Sequence, residues 1–295
     1  MRINGVEIED TFAEAFEMWG ARLIITAHNE RWALTAAQAA TGFATSIIGC
    51  GCEAGTNDLP ADERTPDGRP GVAALFFTTS RQNMEAQLLQ RVGQGVMTSP
   101  TSACYNGLDA GDTIKVGGKL RFFGDGFQSS KLLDGRRLWR VPVMDGEFVV
   151  EENFGVSKAV GGGNFFIMAE DLEAALAAAE AAVTAMRAVP GVIMPFPGGI
   201  VRSGSKVSSR YKGQHVSSNT PYCPTIRPLV ESALPDGVEA VLEIVIDGLE
   251  EEAVGEAMRV GVGASCLPGV VRITAGNYGG SLGRYQFHLR DLVDA

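Results

Sequence analysis

The chain has 295 residues, 45% hydrophobic and 20% charged, with 35 acidic against 25 basic side chains and a formal net charge of −10. That composition is ordinary for a globular protein with one large core or two moderate ones, and it excludes disordered and fibrous chains. The acidic balance argues against nucleic acid as a bulk partner, whose phosphates need neutralising, and no run of about 18 uncharged apolar residues offers a membrane span. Arg22-Leu23-Ile24-Ile25-Thr26 then reads as the first strand, and alanine-rich Glu30 to Thr41, stopped by Gly42, as a helix. Ala44 to Ile48 and Val72 to Thr79 read as strands, Met84 to Val92 as an amphipathic helix, and Lys119 to Phe123 as a last strand. Leu132 to Arg140 is a short polar connector, followed by an added strand from Val141 to Val150. The order then returns: strand Asn164 to Met168, helix Asp171 to Val189, strands Val192 to Met194 and Val238 to Ile246, helix Glu250 to Val260 and strand Val270 to Thr274. A further strand is expected over Arg284 to Leu289.

The return is a duplication. Ile8-Glu9-Asp10-Thr11-Phe12 recurs as Val150-Glu151-Glu152-Asn153-Phe154, 142 positions on (150 − 8), and the match runs without a gap through Ile25/Ile167, Ala27/Ala169 and Leu34/Leu176. Arg91-Val92-Gly93-Gln94-Gly95 is echoed by Arg259-Val260-Gly261-Val262-Gly263. Two β-α-β-β-α-β units predict an α+β fold of two duplicated ferredoxin-like, or split βαβ, lobes over residues 1–145 and 146–295. Only the second carries the Pro/Gly/Ser-rich excursion 195–235, about 40 residues between two strands, a length uncommon in loops without a function.

What one half alone possesses is a candidate for function. Glu243 lies in Val241-Leu242-Glu243-Ile244-Val245-Ile246, on one face with Val241 and Val245. With Gly71 and Gly237 taken as the shared strand start, its counterpart is Phe77, so the fold needs no acid there. Desolvation would raise its pKa and suit it to general acid/base work; an arginine-paired carboxylate is the structural alternative. The excursion opens with Pro195-Phe196-Pro197-Gly198-Gly199 and concentrates Arg202, Lys206, Arg210 and Lys212, which fits either an anionic ligand or a solvated basic loop.

Weaker signals follow. Ser203-Gly204-Ser205-Lys206 matches a Ser-x-x-Lys nucleophile pattern but lacks its companion motifs. Gly124-Asp125-Gly126, Gly161-Gly162-Gly163 and Gly276-Asn277-Tyr278-Gly279-Gly280 lack the spacing of a nucleotide site, though their amides would serve as donors to an oxyanion. Cys50-Gly51-Cys52 lacks two further ligands, and the three histidines show no ligand spacing, so no metal is expected. A nucleophilic Cys223, in Tyr222-Cys223-Pro224-Thr225, would want a base such as His215; a packed thiol is the alternative. The five cysteines, odd in number and scattered, suit reduced thiols, and no apolar signal core follows Met1-Arg2-Ile3-Asn4-Gly5, so a cytoplasmic location is expected.

Several motifs, spread along the whole chain and in order, closely resemble one family. These are Ile3 through Phe16, Thr65-Pro66-Asp67-Gly68-Arg69-Pro70-Gly71-Val72, Phe122 through Gln128, Gly163 through Glu170, Pro195 through Val201 and Ala275 through Gly280. The chain resembles the formylmethanofuran:tetrahydromethanopterin formyltransferases. That resemblance implies a cytoplasmic homotetramer, a dimer of dimers, without prosthetic group or metal, whose substrates are methanofuran and tetrahydromethanopterin. It implies transfer of a formyl group between the methanofuran amine and N5 of the pterin, with Glu243 at the family's proposed acid/base carboxylate. Motif and loop placement nominate Phe196, Pro197, Gly198, Gly199, Ser203, Ser205, Lys206, Cys223, Pro224, Thr225, Gly124, Asp125 and Gly126 as substrate-binding. A complex with a formylmethanofuran hydrolase or dehydrogenase fits, with roles in methanogenesis or in methylotrophic formaldehyde oxidation. The modest charge content favours a mesophilic source. A pterin-binding non-catalytic or scaffold subunit of such a complex is the alternative: in a binding module Glu243 would be a ligand contact, and in a scaffold the transfer site would be degenerate, which the intact Glu243 and Pro195 to Val201 motif speak against.

Overall fold

A computed structural model describes residues 1–60, 63–214 and 216–294. The first unit comprises β1 (Phe12–Thr26), α1 (Glu30–Thr41), β2 (Glu53–Asn57), β3 (Gly71–Thr78), α2 (Arg81–Arg91) and β4 (Ala103–Asn106). The second comprises β5 (Phe154–Ala169), α3 (Leu172–Met186), β6 (Val192–Ile193), β7 (Ala240–Gly248), α4 (Glu251–Ala264) and β8 (Val270–Thr274). Hydrogen bonding gives the same spatial order twice, β2-β3-β1-β4 and β6-β7-β5-β8. The two long first strands run antiparallel to each other from Gly20↔Ser157 to Phe16↔Gly161, which merges both units into one mixed sheet of an α+β architecture.

Local chemistry explains the helices. Asn29 caps α1 by accepting from Trp32 N, and Ala33, Ala36, Ala37 and Ala40 form its buried stripe. Asp171 caps α3 the same way for Ala174 N, over buried Ala175, Ala178, Ala179 and Ala182. Small side chains let both helices lie close on the sheet. Phe165, Ile167, Leu242, Ile244 and Ile246 fill the core beneath α3 and α4, while Leu23, Ile25, Phe76, Met84 and Leu88 fill that of the first unit. No helix among the described residues is long and apolar enough to cross a membrane.

Three expected elements differ. Ala44 to Ile48 is not a strand: Ser46 caps a single helical turn, Ile47–Cys50, closed by left-handed Gly51, and the sheet position is taken by β2. Lys119 to Phe123 is helical, within Val116–Leu120 and Arg121–Gly124, because β4 already occupies that edge of β1. The connector and the single strand after it are a meander of Ser129–Leu133, Arg136–Val143 and Gly146–Glu151, whose last strand pairs parallel with β4. Asp134 and Gly135, both at positive φ, make its first turn, and Asp-Gly is the pair that such a hairpin prefers.

Candidate functional site

Alternation along β7 turns Leu242, Ile244 and Ile246 into the core and leaves Val241, Glu243 and Val245 on the opposite face. Glu243 pairs with Phe166 of β5 on one flank. On the other it exchanges backbone hydrogen bonds with Val201, at 2.7 and 2.9 Å, so the excursion starts as an extra bridge beside the carboxylate. The chain then turns back through a small hairpin, Lys206–Val207 against Val216–Ser217, which returns Asn219, Tyr222 and Cys223 to Glu243. The Tyr222 ring meets Phe166 edge-on at 4.8 Å.

Two cavities meet at Glu243. The smaller, about 30 Å³, is lined by Ser203, Gly204, Asn219, Tyr222 and Cys223 among others. The larger, about 290 Å³, is lined by Asn164, Ser205, Lys206, Asn219, Tyr222 and Tyr278. Burial pushes the Glu243 carboxyl up to about 7. A carboxyl so placed can take and return a proton near neutral pH. The strand register revises its counterpart: Ile25 pairs with Val72 as Ile167 pairs with Leu242, an offset of 170 (242 − 72) that sets Glu243 opposite Ala73, not Phe77. The asymmetry between the halves survives, since Ala73 is fully buried.

Gly204 is where the excursion closes on the site. Its φ is +56°, and a Cβ there would lie 2.9 Å from Asn219 Cβ and 3.8 Å from Glu243 Oε2. Gly204→Ala is expected to displace Asn219 and lower turnover per substrate encounter by roughly 10- to 100-fold with the fold intact. Steady-state kinetics beside circular dichroism check this.

The glycine turns behave differently from expectation. Gly276 N donates to Asn164 Oδ1 at 2.6 Å and Gly279 N to Asn277 Oδ1 at 3.1 Å, while Tyr278 and Gly280 N donate to Glu14 Oε2 at 2.7 and 3.0 Å. Gly162 N is taken by Asp247 Oδ1 and Gly126 N by Gln128 Oε1. These amides are spent inside the fold, and the polar side chains that line the Glu243 cavities include the Ser203 and Ser205 hydroxyls, the Asn219 amide, Lys206 and the Tyr222 and Tyr278 hydroxyls.

Of the nominated residues, Ser203, Ser205, Lys206 and Cys223 thus gather at Glu243. Phe196, Pro197, Gly198 and Gly199 line a separate cavity of about 550 Å³ with Gln38, Asn57 and Arg187, against the first unit. Pro224 and Thr225 begin a 3₁₀ turn, and Gly124, Asp125 and Gly126 form a turn of the first unit; none of these five lines either Glu243 cavity. Cys223 Sγ donates to Asn219 O at 3.4 Å as a packed thiol; its pairing with His215 falls outside the described residues. Among the described residues no group of three or more His, Cys, Asp or Glu side chains is placed to hold a metal. Sequence reasoning missed Asn164, Asn219 and Tyr278. Asn164 had a signal, an amide in mid-strand between glycines and phenylalanines; Asn219 had none.

Comparison with known proteins identifies the family. The family model for formylmethanofuran-tetrahydromethanopterin formyltransferase matches residues 1–143, and that for its proximal lobe matches residues 146–292. The chain is 55% identical to the formylmethanofuran–tetrahydromethanopterin formyltransferase of Methylococcus capsulatus, over 99% of this chain and all of that protein. It superposes on the solved structure of the formylmethanofuran:tetrahydromethanopterin formyltransferase from Methanosarcina barkeri with a TM-score of 0.95 at 51% identity, covering 99% and 100% of the two chains. It superposes at 0.96 and 50% identity, over 99% and 98%, on a chain of the Methylorubrum extorquens formyltransferase/hydrolase complex, solved with methylofuran. The chain belongs to the formylmethanofuran–tetrahydromethanopterin formyltransferase family.

Proposed function

We propose that this chain moves a formyl group between the amine of methanofuran and N5 of tetrahydromethanopterin by direct acyl transfer in a ternary complex. The observation that carries the reading is Glu243, a carboxyl raised to about 7 by burial where two cavities join. The N5 lone pair attacks the formyl carbon, and the carbonyl π electrons move to oxygen. Glu243 takes the N5 proton, and collapse of the tetrahedral intermediate breaks the bond to the methanofuran nitrogen, which receives that proton back. In either direction the carboxylate starts ionised. Ser203, Ser205 and Asn219 supply hydrogen-bond donors to the oxyanion, and Lys206 favours the anionic groups of the substrates. No covalent enzyme intermediate, prosthetic group or metal enters these steps. Phe196 to Gly199, Cys223 to Thr225 and Gly124 to Gly126 complete the substrate contacts of this reading, the separated ones through another copy of the chain.

The same reading extends to architecture and assembly. Residues 1–145 and 146–295 are two duplicated ferredoxin-like lobes, a view supported by their identical strand order. A homotetramer, a dimer of dimers, is supported by exposed Phe122, Phe123, Phe127 and Met144 beside the edge strand Ser129–Leu133, exposed along its length. A hydrolase partner is supported by the Methylorubrum complex. Five free thiols support the reducing cytoplasm.

Purified protein given formylmethanofuran and tetrahydromethanopterin is expected to form the formylated pterin, followed optically, and to run at the mass of four chains in light scattering. Binding of the pterin without turnover would instead make it a non-catalytic subunit.

A further inference from the structure

Glu14 is a buried carboxylate of β1, 1% exposed, that the transfer chemistry does not use. Both its oxygens are spent on a loop 264 to 269 positions further along the chain. Oε2 accepts from Tyr278 N and Gly280 N, and Oε1 accepts from Leu282 N at 2.5 Å and from Gly283 N. Residues 276–284 contain no helix or strand, and Leu282 is well exposed. The other ties are dispersed: Asn277 Nδ2 donates to Phe12 O at 3.1 Å and to Thr11 Oγ1 at 3.2 Å, Asn164 and Glu14 N hold Gly276, exposed Arg284 pairs with Glu17, and the Tyr278 ring leans on Phe16 at 6.2 Å. This loop carries Asn277 and Tyr278 into the wall of the 290 Å³ cavity that Glu243 shares. A segment so poor in apolar contacts takes its shape from its hydrogen bonds, and four of them converge on one side chain.

From this convergence we infer that Glu14 is a positioning residue of the formyl-transfer site, fixing the Asn277-Tyr278 wall at a set distance from Glu243. It acts through the loop backbone and touches neither substrate. The inference rests on the formyl-transfer reading above. It also accounts for the spent amides: the glycines here serve a turn wrapped around a carboxylate, and Gly279 and Gly280, at φ +73° and +72°, give the chain the curvature this requires.

The test is a double-mutant cycle on the full chain, assayed for formyl transfer. Glu14→Gln turns one acceptor oxygen into a donor that faces loop N–H groups. It is expected to lower kcat/KM by about 10-fold or more while the protein still melts cooperatively. In a Tyr278→Ala background the same change is expected to cost much less, because the larger side chain of the wall it positions is already gone. The Glu243 limb near pH 7 should persist in both. Should Glu14→Gln not fold, Glu14→Asp, which keeps the charge but retracts it by one methylene, provides the same comparison. Wild-type kcat/KM in the variant, or an equal loss with and without Tyr278, overturns the positioning role. A wild-type protein without formyl transfer removes the reading on which it rests.

Discussion

Glu243→Gln is expected to lose about 10²-fold or more in kcat/KM in both directions of formyl transfer, with the fold unchanged. The amide matches the carboxyl in shape, so the bridge to Val201 and the Phe166 pairing stay; what disappears is the group that receives one amine's proton and returns it to the other. The pH profile separates this from a binding effect. The wild-type kcat/KM should rise with pH through about 7, as the carboxyl ionises, and that limb should be absent in the variant. Stability carries the same signature with opposite sign. Because burial raises the folded-state pKa from 4.5 to about 7, the folded chain holds this proton more tightly than the unfolded chain does. The stability it contributes is present in full below pH 4.5 and is lost as pH rises through about 7, so the Gln variant should show a flatter melting temperature across that window. Wild-type turnover in the variant would make Glu243 structural.

Phe165→Ala is expected to cost about 3–5 kcal/mol of stability, visible as a lower urea midpoint at unchanged slope. Phe165 has no exposure and faces α3 and α4. The surroundings cannot close over its loss: Met186 and Gly261 already stand in contact, and a Cβ on Gly261 would lie 3.1 Å from Phe165 Cζ. Phe166, one residue on, points to the Glu243 face against Tyr222 and belongs to the site instead. An unchanged midpoint for Phe165→Ala would overturn this assignment of faces.

That neighbouring pair shows how far local pattern reaches. Period-two alternation placed Glu243 on one face with Val241 and Val245, and the alanine-rich runs located α1 and α3 within a few residues, since these depend on near neighbours alone. The repeat of β-α-β-β-α-β order was legible for the same reason. Where apolar runs were short, as at Ala44 to Ile48 and Lys119 to Phe123, the same local signal misled, because whether such a run becomes a strand depends on which sheet edge is still free. The meander after Gln128 was hidden behind a polar surface, although its Asp134-Gly135 turn carries a hairpin signal in its residue types.

The amino-acid sequence by itself determined the duplicated element order and the family, and it nominated Glu243 as an acid present in one half only. Tertiary structure alone decided what surrounds that acid. Asn219 and Tyr222 reach it because a hairpin folds the excursion back, and Tyr278 because a carboxylate in β1 holds a loop from the far end of the chain. Such contacts join positions far apart in sequence through backbone hydrogen bonds, which any residue type can donate and no spacing announces.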